Sequence, residues 1–189
     1  MKKIFKIGCF GFIGLVVLST AIGVMSSINS ENSSIKTSNV TTEKTEIIID
    51  ANQFSRISSD ELINIMGQPQ KIDEYMWLVP STGKKIPGKT YIYEDNKYEF
   101  MVLDDTVTRL SVYSGTYMGY DESIMEFKNE EDLFSMFNIK PNDHVKKVGD
   151  TGYALRFSPV SDKVADLWIV EVEDNKFGAA KITYNLNYY

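Results

Sequence analysis

The chain has 189 residues, 43% hydrophobic and 24% charged, with a formal charge of −6 at pH 7. From residue 50 onward Asp and Glu number 23 against 15 Lys and Arg, so that portion alone carries −8. Such a balance argues against nucleic acid and anionic lipid as its partners and leaves basic peptides, cations, neutral ligands and proteins.

Lys2, Lys3 and Lys6 precede an uncharged apolar run from Ile7 to Met25. As a helix rising about 1.5 Å per residue, this run spans roughly 28 Å, close to the hydrocarbon thickness of a bilayer. The basic flank assigns the amino terminus to the cytoplasm and everything after Ser26 to the outside. Residues 1–25 are therefore expected to be a single-pass anchor, with membrane contact through residues 7–25 only. A cleaved signal peptide is the alternative reading, which would release a secreted protein. Ser19-Thr20-Ala21 and Val24-Met25-Ser26 supply small residues for cleavage, but Ile22 to Met25 remain apolar beyond the first of them. Cys9, the one cysteine, precedes most of the apolar run and has Lys6 three positions before it, unlike a lipidated cysteine. With no second cysteine an intramolecular disulfide is ruled out, and core packing must hold the exported part together.

Residues 26–49 form one segment that, from Ser26 to Glu46, is rich in Ser, Thr, Asn, Lys and Glu with Ile28, Ile35 and Val40 scattered among them. Such a segment buries too little apolar surface to offset its ordering entropy, and it reads as a flexible stalk. Ser58 to Pro69 then carries the signals of a short helix. Ser58 or Ser59 caps it, Asp60 and Glu61 face the positive end of its dipole, and Leu62, Ile65 and Met66 share one side. Gly67 supplies the left-handed closing residue, and Pro69 stops the chain from continuing.

Strand patterns follow at Tyr75 to Val79, Thr90 to Glu94, Lys97 to Leu103 and Thr106 to Tyr113. The last three are separated by the turn pairs Asp95-Asn96 and Asp104-Asp105. Alternation assigns Tyr98, Phe100 and Val102 to one face, Glu99, Met101 and Leu103 to the other, and puts Leu110 and Val112 together. The same order recurs downstream. A helix at Glu130 to Phe137 is closed by Asn138, and strands follow at His144 to Val148, Gly152 to Phe157, Val164 to Glu173 and Lys176 to Tyr184. The pattern predicts an α+β fold of two similar units, 50–123 and 124–189. Each would pack a short helix on a small antiparallel meander.

A capped helix ending in Met66-Gly67-Gln68-Pro69, followed by such a meander, resembles the unit of the β-lactamase inhibitor protein-like fold. The small outer-membrane lipoproteins of the SmpA/OmlA type look like single copies of that unit. The resemblance covers Ser58 to Tyr113 and, less closely, Glu130 to Tyr184. It implies binding to other proteins at an exposed sheet face, with no catalytic residues to carry over. This chain lacks both the paired cysteines of the secreted inhibitors and the lipidated cysteine of the lipoproteins.

Catalytic patterns are sparse. His144 is the only histidine, and neither a Gly-x-Ser-x-Gly motif nor a partner beyond Asp143 accompanies it. Asp104-Asp105 reads as a turn and Glu171/Glu173 as solvated strand residues, though carboxylate pairs leave acid–base chemistry open. One His and one membrane Cys leave no nitrogen or sulfur set for a metal, and no calcium loop or phosphate cradle occurs, so no cofactor is expected. Aromatics are the enriched class, with 11 Tyr, 10 Phe and 2 Trp. Trp168, inside Leu167-Trp168-Ile169-Val170, reads as core. Tyr75, Trp77, Tyr91, Tyr93, Tyr117 and Tyr120 are the candidate recognition residues, with core filling as the competing reading. The expected function is a non-enzymatic extracytoplasmic binding module for a protein or cell-envelope component. The alternatives are a carboxylate-dependent cell-wall hydrolase and a structural spacer without a specific ligand.

Overall fold

The computed structural model describes residues 45–115 and 125–189. The anchor with Cys9, the stalk up to residue 44, and Tyr117 and Tyr120 lie outside the described residues. Among the described residues, no helix is long and apolar enough to cross a membrane.

Two short helices, α1 (Ser59–Met66) and α2 (Glu130–Ser135), accompany the strands. The first half contributes β1 (Lys71–Leu78), β2 (Lys85–Tyr93), β3 (Tyr98–Leu103) and β4 (Thr106–Tyr113). The second contributes β5 (Met125–Glu126), β6 (Lys147–Asp150), β7 (Ala154–Phe157), β8 (Asp166–Val170), β9 (Lys176–Phe177) and β10 (Ala179–Thr183). Eight of them form one antiparallel sheet in the order β1-β2-β3-β4-β10-β8-β7-β6, and β5 pairs separately with β9.

This corrects the expected α+β fold of two helix-plus-sheet units. The molecule is mostly antiparallel sheet, and one sheet runs through both halves. The joint is the β4–β10 pair, with Leu110 opposite Ile182 and Ser111 opposite Lys181. The physical reason is that each meander ends in a strand with a free edge. Pairing the two last strands satisfies backbone groups that separate units would leave unpaired.

The joint also makes one apolar row. Tyr91, Phe100, Leu110, Ile182, Leu167 and Phe157 are successive cross-strand partners from β2 to β7. All are buried in a single core. That face is covered by a 3-10 turn at Ala51–Phe54, α1 and α2. The Phe54 ring lies 4.7 Å from Phe100, and that of Phe134 lies 4.9 Å from Phe157.

Local chemistry sets the element ends as expected. The Ser58 hydroxyl accepts from the Glu61 amide while the Glu61 carboxylate accepts from the Ser58 amide at 2.9 Å, forming a capping box. The Ser58 amide and hydroxyl hold the Glu61 carboxyl below the ordinary range. Gly67 closes α1 at φ 81°. Asp95-Asn96, Asp104-Asp105 and Asp174-Asn175 all have positive φ, the conformation that tight hairpins demand of two successive residues.

β2 starts at Lys85, five residues before the expected strand, and runs through Pro87 and Gly88. Gly88 lies between Tyr75 and Leu103 on its neighbouring strands. A Cβ there would stand 2.6 Å from Tyr75 Cε2 and 2.8 Å from Leu103 Cδ2, so only glycine lets those side chains close over the strand.

Burial makes the fold sensitive to alkali. It pushes the Tyr93 phenol up to about 12, and it raises Tyr98 and Tyr184 as well. Because the folded state holds these protons more tightly, their contribution is complete below the ordinary phenol value near 10 and lost as pH rises through the folded values. The melting temperature is expected to fall steadily from about pH 10 to about pH 12 as the buried phenols lose their protons on unfolding. A melting temperature level across that interval, with tyrosinate forming in the folded protein, would contradict this account.

Candidate functional site

Alternation that directs one set of side chains to the helices directs the intervening set to the opposite face of the sheet. Among the described residues that face carries no helix, and this helix-free face has two distinct ends.

At the β1–β3 end it carries Tyr75, Trp77 and Met101, and residues 186–189 cover them. Trp77 Nε1 donates to the Tyr188 carbonyl at 2.8 Å. The Tyr189 ring lies 5.7 Å from Trp77 at 64°, and the Arg109 guanidinium sits 3.9 Å from the Tyr189 ring centroid. The Tyr189 hydroxyl reaches Thr108 Oγ1 at 3.1 Å and Met101 Sδ at 3.0 Å. Tyr75 is half-buried, its hydroxyl accepts from Thr90 Oγ1 at 3.3 Å, and burial raises its phenol. Here the aromatics form a satellite core with Val79, Ile86 and Leu103.

Toward β8 and β7 the face is open among the described residues. Trp168 is 37% exposed, the more exposed of the two tryptophans. Lys181 Nζ lies 5.1 Å from its ring centroid on one flank, and the Arg156 guanidinium lies 5.8 Å away on the other. Cross-strand pairing produces this arrangement, since Trp168 faces Lys181 on β10 and Arg156 on β7. Arg156 Nε donates to the buried Asp166 carboxylate at 2.8 Å, which fixes the guanidinium in place. Among the described residues no carboxylate forms a salt bridge with Lys181. Beside it, Arg109 Nε donates to Thr183 Oγ1 at 3.2 Å, and the Tyr113 hydroxyl donates to Glu99 at 2.9 Å. The open end is thus an aromatic plane between two cations, on a domain whose overall charge is strongly negative.

The candidate residues read from the sequence are therefore divided. Tyr75 and Trp77 lie on the helix-free face, beneath residues 186–189. Tyr91 and Tyr93, each 4% exposed, belong to the core on the other face. Tyr93 packs edge-on against Phe100 at 5.7 Å and donates to the Gly67 carbonyl. Tyr117 and Tyr120 lie outside the described residues. Trp168, expected in the core, points away from it, and Arg156 and Lys181 carried no signal of their own. The pattern that locates Trp168 is local: Leu167 and Ile169 both face the helices, so the residue between them cannot.

The candidate catalytic groups occupy structural positions. His144 sits exposed in a turn, where its backbone amide donates to Asn142 Oδ1 at 2.9 Å. Asp105 accepts from the Ser59 amide and hydroxyl, and Asp104 accepts from the Tyr188 hydroxyl at 3.3 Å. Glu171 turns the chain at φ 57°. Among the described residues no group of three or more His, Cys, Asp or Glu is placed to hold a metal ion.

Comparison with protein-family models, with curated proteins and with solved structures returned no match.

Proposed function

We propose that the protein is a non-enzymatic extracytoplasmic binding module, held at the membrane by residues 7–25, whose helix-free sheet face engages a protein partner. The exposed Trp168 ring between Lys181 and Arg156 carries this reading. Trp and Arg are the side chains most often found as binding anchors, because they offer a large contact area with little entropy to lose. A positive, aromatic surface within a domain of charge −8 favours a partner segment that places a carboxylate beside an apolar group.

The test is photo-crosslinking of the full chain on intact cells, with wild type, Trp168→Ala, Lys181→Glu and Val148→Ser compared. Capture of a defined partner is expected to fall roughly five- to 150-fold in the first two variants, consistent with an anchor worth roughly 1–3 kcal/mol. Val148→Ser, an exposed change on β6, is expected to leave it unchanged. Equal capture by all four proteins would refute the proposal.

A further inference from the structure

We propose that the β1–β2 hairpin is a membrane-contacting element, whose turn rests on the anionic headgroups of the bilayer that holds residues 7–25. The inference rests on that anchoring and is independent of the partner proposed for the Trp168 face.

Charge is spread unevenly along the domain. From Tyr75 to Tyr93 the chain has three lysines, Lys84, Lys85 and Lys89, and neither Asp nor Glu, although residues 50–189 together carry −8. That sum opposes anionic lipid only as an average, because salt screens charges more than about 8–10 Å apart and a surface is felt patch by patch. Lys89 is tied to Glu74 at 2.9 Å, which neutralises the carboxylate nearest the turn on this face of β1. Among the described residues Lys84 and Lys85 form no salt bridge, and both are exposed. They sit on a closed turn, where the Val79 amide donates to the Lys84 carbonyl at 2.9 Å and the Gly83 amide to the Val79 carbonyl at 2.8 Å.

Apolar side chains accompany these cations. Met76 and Leu78 are 58% and 52% exposed. Their cross-strand partners are Pro87 and Lys85, both exposed as well, and alternation puts all four on one face. Tyr75 and Trp77 face the other way, beneath residues 186–189. Aliphatic side chains beside lysines suit the headgroup layer, since the former enter the acyl boundary while lysine stems carry their ammonium groups to the phosphates. A protein partner fits less well, because lysine is depleted from protein interfaces and no exposed aromatic or arginine stands here.

So small a surface would hold a free domain at a membrane only weakly. The anchor changes this, because a tethered domain meets its own bilayer at a high effective concentration. At roughly 3.3–3.6 Å per residue, residues 26–44 span at most about 65 Å, which permits contact without choosing a face. Charge and apolar exposure choose it.

The test uses the full chain in a Cys9→Ser background, incorporated into lipid discs. Met76→Cys, or Val148→Cys on β6, carries an environment-sensitive fluorophore. One set of discs is phosphatidylcholine alone, and the other is equal parts phosphatidylcholine and phosphatidylglycerol. Emission at Met76→Cys is expected to shift to the blue in the anionic discs only, and to return in high salt or with Lys84→Glu and Lys85→Glu added. Val148→Cys is expected to emit alike in both. No shift at Met76→Cys in anionic discs would overturn the proposal while leaving the anchor standing. A shift of equal size in neutral discs, at Val148→Cys, or in the doubly charge-reversed variant would overturn it too, since the contact would then not be this hairpin on anionic lipid. Failure of the chain to enter discs at all would refute the anchor, and the proposal with it.

Discussion

Truncation of Tyr184 to alanine is expected to cost about 3–5 kcal/mol, a large share of the stability of a domain this size. The residue follows β10 and is among the largest fully buried side chains of the protein. Its hydroxyl donates to the Ala51 carbonyl at 2.8 Å, across a sequence separation of 133 residues. Its amide donates to the Thr108 carbonyl, and its carbonyl accepts from Arg56 Nε at 3.0 Å. One side chain thus ties the first turn of the core to the last strand of the sheet. Tyr184→Phe separates the contributions, because it keeps the ring and leaves the Ala51 carbonyl without its donor. That change is expected to cost about 1–3 kcal/mol. Urea denaturation of both variants measures the two costs. The unfolding of each should remain a single transition, since β4 and β10 bind the halves into one sheet. A loss below about 1 kcal/mol for Tyr184→Ala would show that the core closes without this ring.

The elements that were legible in the sequence are those whose cause is local. A serine cap at Ser58 or Ser59, the closing Gly67, and the Asp-Asn and Asp-Asp turn pairs each act within a few residues and were legible, whereas the choice of Ser58 and its capping box with Glu61 came from the structure. Alternation in Tyr98 to Leu103 likewise separated Phe100 from Met101 correctly. What stayed hidden depends on partners far away in the chain. Nothing near Leu110 announces that it will face Ile182, so two sheets and one sheet read alike. The strand was expected to begin only at Thr90, and its extension back through Gly88 depends on Tyr75 and Leu103 closing over the glycine from neighbouring strands. The stretch around Trp168 failed for another reason. Four apolar residues in succession mask a period of two, and only the burial of Leu167 and Ile169 on the helix side reveals the outward residue between them. The tyrosine pair on β2 shows the converse, since Tyr91 and Tyr93 share a face as expected but that face is the core.

The two tryptophans are expected to respond to truncation in opposite ways. Trp77→Ala removes a hydrogen bond to the Tyr188 carbonyl and the ring contacts with Tyr189 and Tyr75. Its cost is expected to be about 2–3 kcal/mol of stability, less than for a fully buried tryptophan because the ring is only half-buried. Residues 186–189 should then lose their main anchor, and limited proteolysis should cleave there before the rest of the domain unfolds. Trp168→Ala gives up the flanking contacts with Lys181 and Arg156, worth about 0.5–1 kcal/mol each at an exposed site. Its stability is expected to fall by no more than about 1–2 kcal/mol, while partner affinity falls by about 1–3 kcal/mol, roughly five- to 150-fold. Thermal unfolding and a binding assay on the same two variants give four numbers, and the expectation is a crossed pattern. Loss of stability in Trp168→Ala comparable to that of Trp77→Ala would make it a packing residue and remove it from the binding face. Loss of binding in Trp77→Ala without loss of stability would move that face to the end of the sheet that residues 186–189 cover.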